Sequence, residues 1–247
     1  MLQQIYENSL DRSVRFGATT ISIAQPQDFT ELFQFRHKMF LGPGGGGLDY
    51  DEYDDVATHV IVKDTLRGKI VGTYRLLLGS RLRQCGLSFY SSQEFDLSRI
   101  GLEPTGDTLE LGRSAVDPEY RNGVVIRQLW SFIAKFMVQK QVSQLIGCVS
   151  LTGASHGQAR MLEKVLKAEG HFDSLVSVMP EFCIDLWDGG EIDPLPIAPP
   201  PLMKGYLNLG AKVLGGPAFD AAFNCHDFLM KLDNSKIPPR VLQMLLR

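Results

Sequence analysis

Apolar residues recur along this chain with two spacings, and the changes of spacing divide it into elements. Residues 20–24 alternate and predict a strand, and residues 27–41 carry Phe29, Leu32, Phe33, Phe35 and Phe40 at helical spacing. The glycine-rich residues 42–48 end that helix, and an acidic cluster follows at residues 49–55. Residues 59–63 and 70–78 predict two strands of a hairpin joined by a turn over 64–69. Residues 89–99 predict a short helix or ordered loop, and residues 109–116 a further strand. Residues 124–142 predict a strong helix whose buried face holds Val125, Leu129, Trp130, Ile133, Phe136 and Met137. Arg127, Ser131, Lys135 and Gln139 recur on its other side. A strand over 145–151, a helix over 156–169, a late strand over 176–186, and a final strand over 227–232 between helices over 202–214 and 236–246 complete the pattern. The order predicts an α/β fold (α+β mixed sheet) with helices on both faces. Its expected parts are a polar leader or short first helix over 1–18, a core over 19–188, and a linker with a C-terminal extension packing on the core over 189–247.

Composition narrows the function classes. The chain has 247 residues and a formal net charge of −3, with no dense Lys/Arg block, so it is not expected to bind nucleic acid. Cys85, Cys148, Cys183 and Cys225 form no CxxC pair, which argues against zinc and for reduced, packed thiols in a cytoplasmic protein. No metal site is expected. The N-terminus lacks the apolar core of a signal peptide, and no run approaches the ~20 apolar residues of a membrane span. His59 and His156 have no partner that spacing reveals, which argues against a Ser/His or Cys/His nucleophile.

Residues 110–121 carry the clearest chemistry. An alternating stretch with Glu110 and Arg113 leads through a proline turn with Tyr120 and Arg121 into a helix start. A helix start offers backbone N–H groups to a phosphate, and a strand carboxylate can take a proton from an amine. That combination suits acyl transfer from a thioester. The element order matches GNAT-type acyltransferases, in which Arg/Gln-x-x-Gly-x-Gly/Ala cradles the pyrophosphate of coenzyme A. Here the corresponding run is Arg121-Asn-Gly-Val-Val-Ile, with β-branched side chains at 124 and 126. They hinder approach of a pyrophosphate, which favours the single phosphodiester of acyl-phosphopantetheine on an acyl carrier protein.

Arg36…Phe40, residues 51–54, Gly72-x-x-Arg75-Leu76 and Glu110-x-x-Arg113 resemble the motif series of acyl-homoserine-lactone synthases. Residues 89–98, 110–121, 129–130, 147–153, 200–206 and 216–230 more closely resemble the acyl-carrier-protein-dependent L-ornithine Nα-acyltransferases. The resemblance spans roughly residues 20–240. It implies transfer of a long, 3-hydroxylated acyl chain from acyl carrier protein to the α-amine of ornithine, the first step of ornithine lipid synthesis. It also implies a cytoplasmic enzyme in peripheral contact with the inner membrane, with no tightly bound cofactor. A related N-acyl amino acid synthase acting on lysine, glycine or tyrosine remains open. So do a homoserine-lactone-type signal synthase and a non-catalytic acyl- or carrier-protein-binding module.

Each candidate residue has a blander reading beside it. Glu110 is a candidate general base, or the orienter of a water that serves as base; alternatively it is a strand-edge partner of Arg113. In a regular strand the two point to opposite faces, and a bulge at Gly112 would bring them together. Arg75 and Arg113 could clamp a carboxylate or orient the acidic cluster, Arg75 could pin the entry loop through Asp51 or Asp54, and Arg36 could do likewise. Asp51 and Asp54 could hold the side-chain ammonium of a dibasic amino acid, or form a solvated acidic turn. The acceptor candidates extend to Ser150. Tyr120, Arg121, Val124 and Val125, with Val116, are the donor candidates, or an ordinary helix entry. Arg127, Lys135 and Lys140 suit docking of an acidic carrier protein, or form a merely solvated face. Residues 202–214 could close an acyl pocket, rest on a membrane interface or simply pack.

Overall fold

The computed structural model describes residues 13–42, 46–101, 106–184 and 197–246. In chain order its elements are β1 (Val14–Phe16), β2 (Thr19–Ile23), α1 (Phe29–Leu41), β3 (Thr58–Asp64), β4 (Lys69–Leu78), α2 (Gly79–Gln84), β5 (Phe95–Asp96), β6 (Asp107–Val116), α3 (Val124–Gln139), β7 (Val142–Thr152), α4 (His156–Ala168), β8 (Ser177–Val178), α5 (Pro201–Asn208), β9 (Lys212–Val213), β10 (Ala218–Asp220), β11 (Cys225–Asp233) and α6 (Pro239–Leu246). The result is the expected α/β architecture. The chain forms two compact units, and neither is one continuous stretch. The first takes the described residues up to Leu87, then Leu109–Ser143 and the chain from Pro238 onward. The second takes Ser88–Thr108 and Gln144–Ile237.

In the first unit the strands run β1-β2-β3-β4-β6, each antiparallel to its neighbour. Helices cover both faces. The apolar stripe of α1 packs Leu32, Phe33 and Phe35 against Ile61, Ile70 and Ala115. Full burial of such side chains contributes about 1.5–3 kcal/mol each. Helix α3 covers the opposite face, with Trp130 edge-on to Tyr74 at 6.5 Å.

The approach of α3 depends on Gly72. A Cβ there would lie 2.4 Å from Val125 Cγ1, and a valine side chain is too stiff to swing aside cheaply. Gly72→Ala is therefore expected to cost about 1–3 kcal/mol of stability by overpacking. A urea denaturation curve checks this.

In the second unit β11 pairs with β7, β10 and β9, all antiparallel, and β5 pairs with β8. Tyr206 of α5 lines, with Leu145, Met230 and Leu232, a pocket of about 10 Å³. That is room for roughly one water and not for an acyl chain.

Several boundaries differ from expectation for local reasons. Among the described residues, the strand expected over 176–186 is only Ser177–Val178, because Pro180 opens a 3-10 turn and cannot donate to a ladder. The helix expected over 202–214 stops at Asn208, before Gly210 at φ 93°, and Lys212–Val213 joins β11 instead. The helix expected to reach 142 stops at Gln139, and Gln141 at φ 54° turns the chain into β7. Part of the expected leader, Val14–Phe16, is a strand. Residues 1–12 and the linker residues 189–196 lie outside the described residues. The pattern of apolar positions did not show α2 or the three-residue β10.

Candidate active site

Arg36 lies on the buried stripe of α1 and is 0 % exposed. A guanidinium in that position requires carboxylates around it. Its Nε donates to Asp49 Oδ2 at 2.7 Å, while Nη1 and Nη2 donate to Asp54 Oδ1 and Oδ2 at 2.7 and 3.2 Å. Arg75 Nη1 donates to Asp54 Oδ1 at 3.2 Å and to Asp51 Oδ1 at 2.6 Å. Arg113 Nη2 reaches Asp51 Oδ2 at 3.4 Å, and its Nε returns to Asp49 Oδ2 at 3.1 Å. Arg36, Asp49, Arg113, Asp51, Arg75 and Asp54 thus close a ring of alternating charge with no net charge.

Local backbone geometry builds this ring. Asp51 caps the 3-10 turn Glu52–Asp55 by accepting from the Tyr53 N–H, and Asp54 accepts from the Asp51 N–H in return. The Asp49 N–H donates to the Phe33 carbonyl, so the acidic loop is tied to α1. On β6 the register against β4 slips: Arg75 faces Gly112 while Thr73 faces Ala115. The extra residue makes a bulge, and Arg113 rather than Gly112 takes the left-handed conformation, at φ 48°. A side chain there costs about 1–2 kcal/mol in backbone strain. A Cβ on Gly112 would point at Arg75 Nε, 3.9 Å away, so residue 112 faces the α1 side of the sheet. By strand alternation Glu110 faces the same side. The bulge turns Arg113 toward that side too. The sequence-based expectation of a bulge uniting Glu110 and Arg113 is thus met one residue later. Glu110 is itself 3 % exposed.

Burial acts on the ring's titratable groups. It would raise the Asp54 carboxyl, but the Arg36 hydrogen bonds and the Arg36 and Arg75 charges outweigh it and hold the group below its ordinary value. His59 Nε2 donates to the Asp54 carbonyl, 3.2 Å away, and burial lowers its pKa against the opposing pull of Asp54. His226, hydrogen-bonded to His156 at 2.7 Å, is lowered by burial to about 4. Folded His59 and His226 therefore bind protons less readily than unfolded histidine, whose ordinary value is 6.5. The unfolded chain takes up the extra protons, so stability should fall as the pH drops below 6.5 toward about 4. Asp54 adds a second loss below its unfolded value of 3.8. Urea midpoints measured across that range check the sign; a flat profile contradicts it.

The helix-entry residues sit in the same unit. Gly123 takes φ 88° at the start of α3, the Asn122 side chain accepts from the Val124 N–H at 3.1 Å, and Val124 is exposed. Arg121 Nε donates to the Val116 carbonyl at 3.0 Å. The Tyr120 hydroxyl donates to Asp64 at 2.5 Å and so braces the β3–β4 turn. Along α3, Arg127 is exposed and Lys135 half-buried, while Lys140 lies just past the last helical residue. The face expected to be open is partly covered by α6: Ser131 donates to the Leu245 carbonyl at 2.5 Å.

Ser150 lies in the second unit, where it donates to Asp227 Oδ1 at 2.6 Å. There Glu94, Asp220 and Asp227 converge, with ligand atoms within 4.8 Å of one another, a carboxylate group of the kind that can hold a cation. Buried Cys225 is 3.7 Å from Asp227, and burial raises its thiol, which opposes a nucleophilic role. Sequence reasoning assigned no role to Asp49 and no partners to His59 or His156. Their partners lie in other elements, and no fixed spacing announces them.

A GNAT acetyltransferase domain matches residues 31–131, which contain the ring and the entry of α3. The chain is 34% identical over 214 residues to the L-ornithine N(alpha)-acyltransferase of Agrobacterium fabrum, covering 78% of this chain and 70% of that protein. It is 34% identical over 248 residues to the protein of the same name from Rhizobium meliloti, covering 95% of this chain and 83% of that one. Its fold is shared with a CoA-dependent acyl-homoserine lactone synthase solved with SAM and isopentyl-CoA, at TM-score 0.52 and 16% identity over 89% of this chain and 81% of the other. A GNAT-type sheet with its bulged Glu110–Arg113 strand, and relatives of this identity over most of their length, make the chain an acyltransferase that belongs to the L-ornithine N(alpha)-acyltransferase family.

Proposed function

We propose that the protein transfers a long, 3-hydroxylated acyl chain from the phosphopantetheine of acyl carrier protein to the α-amine of L-ornithine, giving a lyso-ornithine lipid. The observation that carries the acceptor reading is which ring members reach solvent. The side chains of Arg36, Arg75 and Asp54 are at most 1 % exposed, whereas those of Arg113 and Asp51 are 14% and 27% exposed. The accessible part of the ring is thus one cation beside one anion, joined by its longest link at 3.4 Å. Arg113 suits the acceptor's α-carboxylate, and Asp51 suits the side-chain ammonium of a dibasic amino acid. Glu110, on the same side of the sheet, takes a proton from the α-ammonium, directly or through a water. The amine nitrogen then attacks the thioester carbonyl. The new C–N bond forms, the C–S bond breaks, and the phosphopantetheine thiol leaves with a proton. No acyl-enzyme is needed.

The carrier-protein donor is supported by Val124 and Ile126, which stand where a coenzyme A loop has small residues, and by Val124 being exposed at the helix entry. Arg127 is exposed one turn from that entry and would steer an acidic carrier, whereas Lys140 lies at the far end of α3. Such a donor places the reaction in the cytoplasm, with the lipid product leaving to the inner membrane. Among the described residues no helix is long and apolar enough to cross a membrane.

The acceptor assignment is tested with Asp51→Asn, which keeps the capping geometry and removes the charge. The KM for ornithine should rise about 10–100-fold, the value of a charged hydrogen bond. The KM for norvaline, which lacks the ammonium, should hardly move. Equal change for both amino acids would show that Asp51 does not read the side chain, and would favour an N-acyl amino acid synthase with another acceptor.

A further inference from the structure

We propose that Asp49 is a positioning residue for the acceptor, acting through Arg113. The inference rests on the reading that Arg113 binds the acceptor's carboxylate. Arg113 leaves β6 from a left-handed residue inside a bulge, so strand alternation does not set its direction. Something outside the strand must. Asp49 Oδ2 accepts from Arg113 Nε at 3.1 Å and from Arg36 Nε at 2.7 Å, so one oxygen ties the solvent-facing arginine to the fully buried one. Asp49 is itself 7 % exposed, and its N–H is fixed to the Phe33 carbonyl of α1. With Nε held from the inner side, the Nη edge of the guanidinium is directed outward, where its contact with Asp51 is the longest in the ring.

Asp49 differs from the other two ring carboxylates. Asp51 and Asp54 also shape the 3-10 turn through backbone hydrogen bonds to their side chains. The Asp49 side chain contacts Arg36 and Arg113, and Arg36 keeps its bidentate pairing with Asp54 when the Asp49 charge is removed. Loss of that charge should therefore release Arg113 more than it loosens the loop. The acceptor site would remain, with its cation wandering over several rotamers.

A double-mutant cycle tests this with purified full-length chain and the ornithine KM as the readout. Asp49→Asn alone should raise the ornithine KM at least about tenfold, with a smaller effect on the donor KM. In an Arg113→Met background the same substitution should raise it no further. An equal penalty in both backgrounds, or no penalty in either, overturns the proposal. If Arg113→Met alone leaves the ornithine KM unchanged, the carboxylate reading itself fails, which is a distinguishable result. Should Asp49→Asn not fold, Asp49→Glu serves in the same cycle. It keeps the charge one methylene too far out, and its KM penalty should likewise vanish beside Arg113→Met; persistence of the penalty overturns the proposal.

Discussion

Arg36→Met is expected to lower the unfolding free energy by about 3–5 kcal/mol, the usual cost of removing one partner from a buried ion pair. Arg36 is 0 % exposed and makes three of the ring's hydrogen bonds, two of them to the equally buried Asp54 carboxylate. Without it Asp54 retains Arg75 at 3.2 Å but loses its bidentate partner where water cannot replace it. Methionine fills comparable volume, so the loss reports charge more than packing. A pH series separates the two. The penalty should shrink once acid protonates Asp54, whose carboxyl rises when Arg36 is gone. A penalty below about 1 kcal/mol, or one independent of pH, would mean that the ring contributes little to the fold.

Glu110→Gln is expected to cut kcat by about 10²–10⁴-fold, the typical contribution of a positioned general base. Glutamine is nearly isosteric and removes the proton acceptor, so the ornithine KM and the thermal midpoint should change little. The effect should be largest near neutral pH and smaller at alkaline pH, where the acceptor amine arrives deprotonated more often. A variant with near-normal turnover would leave Glu110 as part of the scaffold around Arg113.

Local pattern revealed the first unit well. The alternation at residues 20–24, the apolar runs at 59–63 and 70–78 and the helical spacing at 27–41 each appear as elements; β3 and β4 are buried almost throughout because helices cover both faces of this sheet. The Glu110–Arg113 pair was readable because its odd spacing demands a bulge for both side chains to face one cleft. The second unit was harder. Its late strand is two residues long, and its partners Glu94, Asp220 and Asp227 come from well-separated parts of the chain. Asp49 was visible as a charge, but its role was not. What singles it out is one oxygen shared between Arg36 on a helix and Arg113 on a bulge, a three-dimensional coincidence without a spacing rule. The carboxylates Asp51 and Asp54 looked alike in sequence, yet they differ in access: Asp51 reaches solvent and Asp54 is enclosed by arginines.

The most direct measurement offers the purified protein an acyl carrier protein thioester and, in parallel, the same acyl chain on coenzyme A, each with an equimolar mixture of amino acids, and weighs the N-acyl products. The account predicts a single product with the mass of the acyl chain joined to ornithine, formed from the carrier-protein thioester. Product only from coenzyme A would contradict the reading of Val124 and Ile126, and an N-acyl product of another amino acid would contradict the pairing of Arg113 and Asp51 with ornithine.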